Sequence, residues 1–252
     1  MELSGTILAG DDYEPVEGRV VVEDGEIAAV EEESADSNDI VCPAFVNAHT
    51  HIGDSIAKEA GGGLSLEELV APPDGLKHRL LRAADRTETV AAMERSVRFM
   101  QASGTGTFLE FREGGVEGVR MLEDAVSDLA VEPVILGRGP VAAMEAGDGY
   151  GASGADDGEF GSEQAATREA GKLFGIHAGE VDAGDIHPAL DLDPDFLVHM
   201  VNAEAVHMER VADSGVPVAV CPRSNLVTGV GLPPVEDLLE HTTVALGTTT
   251  SC

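Results

Sequence analysis

Lysine is scarce in this chain. Lys58, Lys77 and Lys172 are its only three, and 15 basic residues face 47 acidic ones, for a formal net charge of −32 over 252 residues. So large an acidic excess repels polyphosphate and anionic lipid, which argues against nucleic acid or an anionic membrane as partner. It fits a salt-rich, halophilic cytosol, where screening removes the self-repulsion that opposes a compact state. A disordered acidic chain is a poor alternative, because 43% of the residues are hydrophobic and they fall in periodic blocks.

Cysteine is also sparse. Cys42, Cys221 and Cys252 form no close-spaced pair, and an odd number gives no disulfide framework, which fits a reducing compartment. No basic N-terminal stretch leads into an apolar run, and no run of about 18 apolar residues occurs. The expectation is a soluble cytoplasmic protein acting on a small molecule, with self-association left open.

What is present starts with short strands. Leu3 to Ala9, Gly18 to Glu23 and Glu26 to Val30 read as strands, the last two joined by the turn signal Asp24-Gly25. These belong to a first unit, residues 1–41, too small to bury both faces of its own sheet. From residue 42 onward strands alternate with helices.

The predicted strands are Ile40 to Val46, Gly106 to Phe111, Pro133 to Gly137, a weak one at Gly149 to Ser153, Leu173 to Ile176, Phe196 to Met200, Pro217 to Cys221 and Val244 to Gly247. Helices are expected near Thr87 to Ala102, Val116 to Ala130, Glu163 to Gly171, Ala203 to Asp213 and Val235 to Glu240. The first of these steps Val90, Met93, Val97 and Met100 along one face. Eight strands, each followed by a helix or by a loop where a helix could sit, predict an α/β fold, a (β/α)8 TIM-type barrel over residues 42–252, whose catalytic groups gather at the C-terminal strand ends. A doubly wound sheet is the alternative, but the Gly-rich phosphate loop it needs after the first strand is missing. Residues Gly147 to Gly161 otherwise read as a Gly/Asp-rich loop, either a mobile active-site loop or a solvated connection.

The position after the first strand holds His49-Thr50-His51, two imidazoles on one face of an extended segment. They form half of a transition-metal site or are two hydrogen-bonded strand histidines. His177 falls at the end of the fifth predicted strand and His199 in the sixth, whereas His78, His187, His207 and His241 read as surface or helix-face residues. Glu180, three residues after His177, is placed to take a proton from metal-bound water, or to be a first-turn helix acid. Glu110 and Arg112 leave the second strand toward the same rim, as substrate contacts or as a structural ion pair. Ser224 and Asn225 follow the seventh strand, as substrate contacts or as helix caps.

His49-Thr50-His51 after an apolar strand, His177-Ala178-Gly179-Glu180, His199 and Cys221-Pro222-Arg223-Ser224-Asn225-Leu226 together resemble the amidohydrolase superfamily, in its cytosine deaminase and chlorohydrolase-like branch. The resemblance implies a barrel flanked by a small β-sandwich that includes the N-terminal strands. It implies one divalent metal, zinc or iron, held by His49, His51 and His177. Glu180 would be the proton shuttle and His199 the group that orients the attacking oxygen. Binuclear relatives carry a bridging lysine on the fourth strand, which this chain lacks. The implied activity is hydrolysis of carbon–nitrogen bonds other than peptide bonds, as a deaminase of a nucleobase-like or related small molecule.

One family feature is missing. The pattern places Gly-Thr-Asp-Asn after the eighth strand, its aspartate a metal ligand, and here Gly247-Thr248 runs on into Thr249-Thr250-Ser251-Cys252. Deleting one base from codons for Gly-Thr-Asp-Asn-Val-Met yields Gly-Thr-Thr-Thr-Ser, so a frameshift that removed the last barrel helix is one reading, and an inactive remnant the alternative function. Reading the gene past the Gly247 codon tests this: another frame should encode Asp-Asn and a further helix, and its absence rejects the frameshift.

Overall fold

The computed structural model describes residues 1–35, 37–58, 60–70 and 74–249. It divides into two units, Met1–Phe45 and Val46–Cys252. The first is a four-stranded sheet of β1 (Glu2–Ala9), β2 (Glu14–Glu23), β3 (Glu26–Glu32) and β4 (Ile40–Val41), in the order β3-β2-β1-β4. Asp24 and Gly25 join β2 to β3 with φ of 51° and 85°, the left-handed pair that a tight hairpin requires. β4 pairs with β1 in parallel. The predicted strand Ile40 to Val46 is therefore two strands. Pro43, with no N–H to give a ladder, lies in the break, and only the second part enters the barrel.

The second unit is the predicted barrel. Its eight parallel strands are β5 (Phe45–Thr50), β6 (Thr105–Arg112), β7 (Glu132–Gly137), β8 (Gly149–Gly154), β9 (Leu173–Ala178), β10 (Phe196–His199), β11 (Val218–Val220) and β12 (Val244–Leu246), adjacent in that order. The ends of the sheet meet through a parallel bridge between Thr50 and Thr249. Asn47 reinforces the seam, donating from Nδ2 to Thr248 Oγ1 at 2.9 Å and accepting from Thr248 N at 3.1 Å. Within the Gly147 to Gly161 stretch the weakly predicted strand is present as β8, between β7 and β9, its glycines masking any apolar period. Thr250 to Cys252 lie outside the described residues.

Helix Arg86–Ala102 shows why the helices form where they do. Asp85 caps it, its carboxylate accepting from Thr87 N and Glu88 N, and Met93, Val97 and Met100 are buried against β6 residue Phe108 and Val119 of helix Gly115–Val126. A helix start was expected near Ser224 and Asn225 and is found as Pro222–Thr228, whereas short helices at Leu66–Val70, Leu76–Ala83, Val141–Ala146 and Ile186–Asp191 escaped prediction, being too short to display a period. Among the described residues no helix is long and apolar enough to cross a membrane.

Inside the barrel, Phe111, Leu136, Val198, Ala219 and Cys221 pack together. Phe111 reaches the middle because the opposing β8 residue is Gly151: a Cβ there would stand 2.6 Å from the ring. Gly151→Ala should therefore destabilise the protein by about 1–3 kcal/mol, seen as a lowered Tm, and an unchanged Tm would show that the Phe111 ring has room to move.

Candidate metal centre

Phe111 is the floor for three of the four histidines. Its ring meets His49 at 4.7 Å and His177 at 5.0 Å between centroids, edge to face. His49 is fully buried within β5, His51 follows directly after it, His177 sits in β9, and His199 ends β10 with φ of +81°. A non-glycine residue in that region is strained, and Met200 beside it is also positive, at +55°. The backbone there turns sharply inward, and it is held by Met200 N donating to Ala178 O at 2.9 Å.

The sequence-predicted histidines thus converge. His177 Nε2 lies 3.2 Å from His49 Nε2 and 3.3 Å from His51 Nε2. One nitrogen each from His49, His177 and His199 lies within 4.8 Å of the others. Burial, then the neighbouring imidazoles, holds His49 well below the ordinary histidine range, and burial and His199 do the same to His177. His51 is lowered by burial and by Lys77. Neutral rings with unshared pairs pointing at one spot are the form that binds a transition cation.

The outer nitrogens fix which pairs point inward. His177 Nδ1 lies 2.9 Å from the carbonyls of Ala152 and Ser153, so it carries the proton and Nε2 is the lone-pair atom. His199 is set the other way. Asn225 Nδ2 donates to its Nδ1 at 3.1 Å, leaving the proton on Nε2, which faces Glu180 Oε2 at 3.4 Å. His49 Nδ1 is buried with no hydrogen-bond partner. A set of neutral imidazoles holding an orphaned nitrogen fits a borderline divalent cation such as zinc or iron.

Glu180 is raised to about 7 by burial, against which His51 and Lys77 pull it down. Its loop is fastened on both sides. Gly179 N donates to Asp185 Oδ1 at 2.7 Å, while Asn202 Nδ2 donates to the carbonyls of Gly179 at 3.2 Å and Glu180 at 3.0 Å. Gly179, at φ +67°, makes the turn that aims Glu180 inward.

The remaining predicted residues divide. Glu110 is fully buried and accepts from Thr50 Oγ1 at 2.6 Å and Ile52 N at 2.7 Å, with Arg112 Nη1 at 3.8 Å. These contacts pin the chain that leaves His51. Arg112, 2% exposed, donates from Nε to Gly118 O at 3.2 Å, and its Nη1 packs where Gly53 has no side chain. Ser224 and Asn225 lie inside helix Pro222–Thr228, whose cap position is Cys221, so N-capping does not account for them. His207, expected at the surface, is buried, its Nδ1 accepting from Glu204 N at the start of its helix.

Sequence reasoning missed a charged cluster beside the histidines. Glu113, one residue past Arg112, has Oε1 within 2.8 Å of Lys77 Nζ and 2.9 Å of Arg138 Nη1, and Lys77 also meets Asp54 Oδ2 at 3.1 Å. The scarcity of lysine was the available signal, since one of three is spent here.

These observations join with comparisons to known proteins. The sequence model of the amidohydrolase family matches residues 40–212. The chain belongs to the amidohydrolase family. A protein of Methanothermobacter thermautotrophicus that carries an aminohydrolase name is 36% identical over 94% of this chain and 71% of its own length. Among solved structures, zinc-complexed atrazine chlorohydrolase from Arthrobacter aurescens superposes with TM-score 0.79 at 16% identity, covering 99% of this chain and 71% of that one. Guanine deaminase from C. acetobutylicum gives 0.77 at 14%, covering 99% and 74%. The chain thus has the barrel of the amidohydrolase family, the fold it shares with both of these structures, and the inactive-remnant alternative is not favoured.

Glu110 gives a pH test. Burial raises it from 4.5 to about 8, so its contribution to stability is complete below pH 4.5 and is lost as pH rises through about 8. Glu110→Gln lacks that titration. Between about pH 5 and 8.5, the Tm of the metal-free variant should gain on that of wild type by several degrees; a constant difference would show that Glu110 is ionised when buried.

Proposed function

We propose that this chain is a metal-dependent aminohydrolase that releases ammonia from an amino-substituted, nucleobase-like small molecule. The observation that carries the reading is the convergence of three imidazole Nε2 atoms, from His49, His51 and His177, beside Glu180 and His199. His49, His51 and His177 would hold one divalent cation, with zinc preferred because a named structural neighbour carries it. When bound, such a cation supplies Lewis acidity and lowers the pKa of water at the site to about 7.

The rest is the work of this chain's residues. Glu180, raised to about 7, sits near neutrality where it can both accept and return a proton, taking it from the nucleophile and delivering it to the ring nitrogen or departing amine. His199, with its proton on Nε2 by virtue of Asn225, donates toward the same oxygen and holds it in line. Asn225 therefore serves His199, and Ser224, 6% exposed at the same rim, is kept as a substrate contact. Glu110 and Arg112 support the turn after His51 through their hydrogen bonds, so a structural role is preferred to direct substrate contact. A salt-rich cytosol is supported by the net charge of −32.

Thr249 stands where the family pattern has its aspartate. Its backbone grips the first-strand pair, accepting from His51 N at 2.5 Å and donating to His49 O at 3.0 Å, and its hydroxyl is buried with no partner. The carboxylate's charge and proton capacity are missing there.

Ammonia release from a panel of aminated heterocycles, with zinc added, tests the proposal. Glu180→Gln should lower turnover by about 10²–10⁴-fold with zinc content unchanged, and Thr249→Asp should raise turnover about 10²-fold. Stoichiometric zinc with no turnover by either wild type or Thr249→Asp would overturn it.

A further inference from the structure

The charged cluster beside His51 has no part in the scheme above, yet four elements contribute to it. Glu113 follows β6, Arg138 follows β7, Asp54 lies in the short turn Ile52–Ala57, and Lys77 is in helix Leu76–Ala83. Both Lys77 and Arg138 meet the same oxygen of Glu113, at 2.8 and 2.9 Å, while Arg112 Nη1 stands 3.8 Å from the other. Side-chain exposure is 14% for Glu113 and 10% for Lys77. Burial of such a network costs desolvation that apolar side chains of similar volume avoid, so stability alone is a weak account of it.

Its direction suggests another role. His51 turns Nε2 toward His177 and its other nitrogen, Nδ1, toward Glu113 Oε1 at 3.3 Å. That approach is within ion-pair range though off the line of a good hydrogen bond. A carboxylate behind a ring nitrogen keeps the proton on that side and the opposite lone pair free. His177 has backbone carbonyls behind its Nδ1 for the same task, whereas His51 has Glu113.

We propose that Glu113 is a positioning residue of the metal centre: its carboxylate holds His51 with Nε2 turned into the site, and Lys77 and Arg138 hold that carboxylate in place. This rests on the reading of His51 as a ligand. Attraction from a bound cation would draw electron density from the ring, strengthen Nδ1–H as a donor, and tighten the contact with Glu113. Docking of helix Leu76–Ala83 is thereby tied to metal affinity through Lys77, although that helix supplies no ligand.

The test is a zinc titration of the metal-free protein against a chromophoric chelator, as a double-mutant cycle of Glu113→Gln and His51→Ala. Glu113→Gln should weaken zinc binding about 10–100-fold in the wild-type background and by less than about threefold once His51 is gone. Glu113→Asp, which keeps the charge but withdraws it, should give a smaller loss that also vanishes without His51; it carries the cycle if Glu113→Gln does not fold by circular dichroism. Unchanged zinc affinity with a lowered Tm would overturn the proposal, leaving Glu113 as a tie between helix and strand ends. An equal loss with and without His51 would overturn it too, because the effect would then be one of general field. Failure of wild type to bind zinc would instead overturn the metal-centre reading on which the proposal stands.

Discussion

Buried nitrogen lone pairs facing one another are the constraint on which the rest of this structure depends. His177 Nε2, on a partly buried ring, stands 3.2–3.3 Å from the Nε2 atoms of both His49 and His51, which are buried. Protonating the rings would set like charges against one another in a poor solvent, and burial accordingly pushes all three toward neutrality. The arrangement is favourable when a cation lies between them. Much of the surrounding detail serves to hold it: Phe111 as floor, Gly151 making space for that floor, and the carbonyls of Ala152 and Ser153 behind His177.

The barrel supplies the geometry and the loops supply the adjustment. Strand ends bring β5, β9 and β10 to one rim, which is why residues more than 100 positions apart meet. The seam between β5 and the chain after β12 then matters doubly, because Asn47 and the backbone of Thr248 and Thr249 hold the strand that presents His49 and His51. Thr249 closes the barrel there and brings no charge to the site.

Most of this plan was legible in the chain. Eight β-rich blocks separated by helical ones imposed the barrel, and His-x-His followed by two later strand-end histidines located the rim. What stayed hidden had physical reasons. Short helices such as Leu76–Ala83 span too few turns to show a stripe, so Lys77 could not be placed over the site. The strand at β8 shows only weakly in the sequence, because Gly149, Tyr150, Gly151, Ala152, Ser153 and Gly154 are mostly small residues that leave no apolar alternation. Glu110 reads as a rim acid, but the backbone N–H of Ile52 that captures it comes from a turn whose path no local pattern predicts. Glu113 was one residue beyond a motif already noticed, and its meaning depends on cations contributed by two other elements.

The central claim is that the histidine cluster is a metal centre, and X-ray absorption at the zinc edge of the zinc-loaded protein tests it most directly. The account predicts one zinc per chain with three imidazole nitrogens at about 2.0–2.1 Å, reduced by one in His177→Ala. A spectrum dominated by oxygen neighbours, or one unchanged by His177→Ala, would place the metal on the acidic surface and contradict the account.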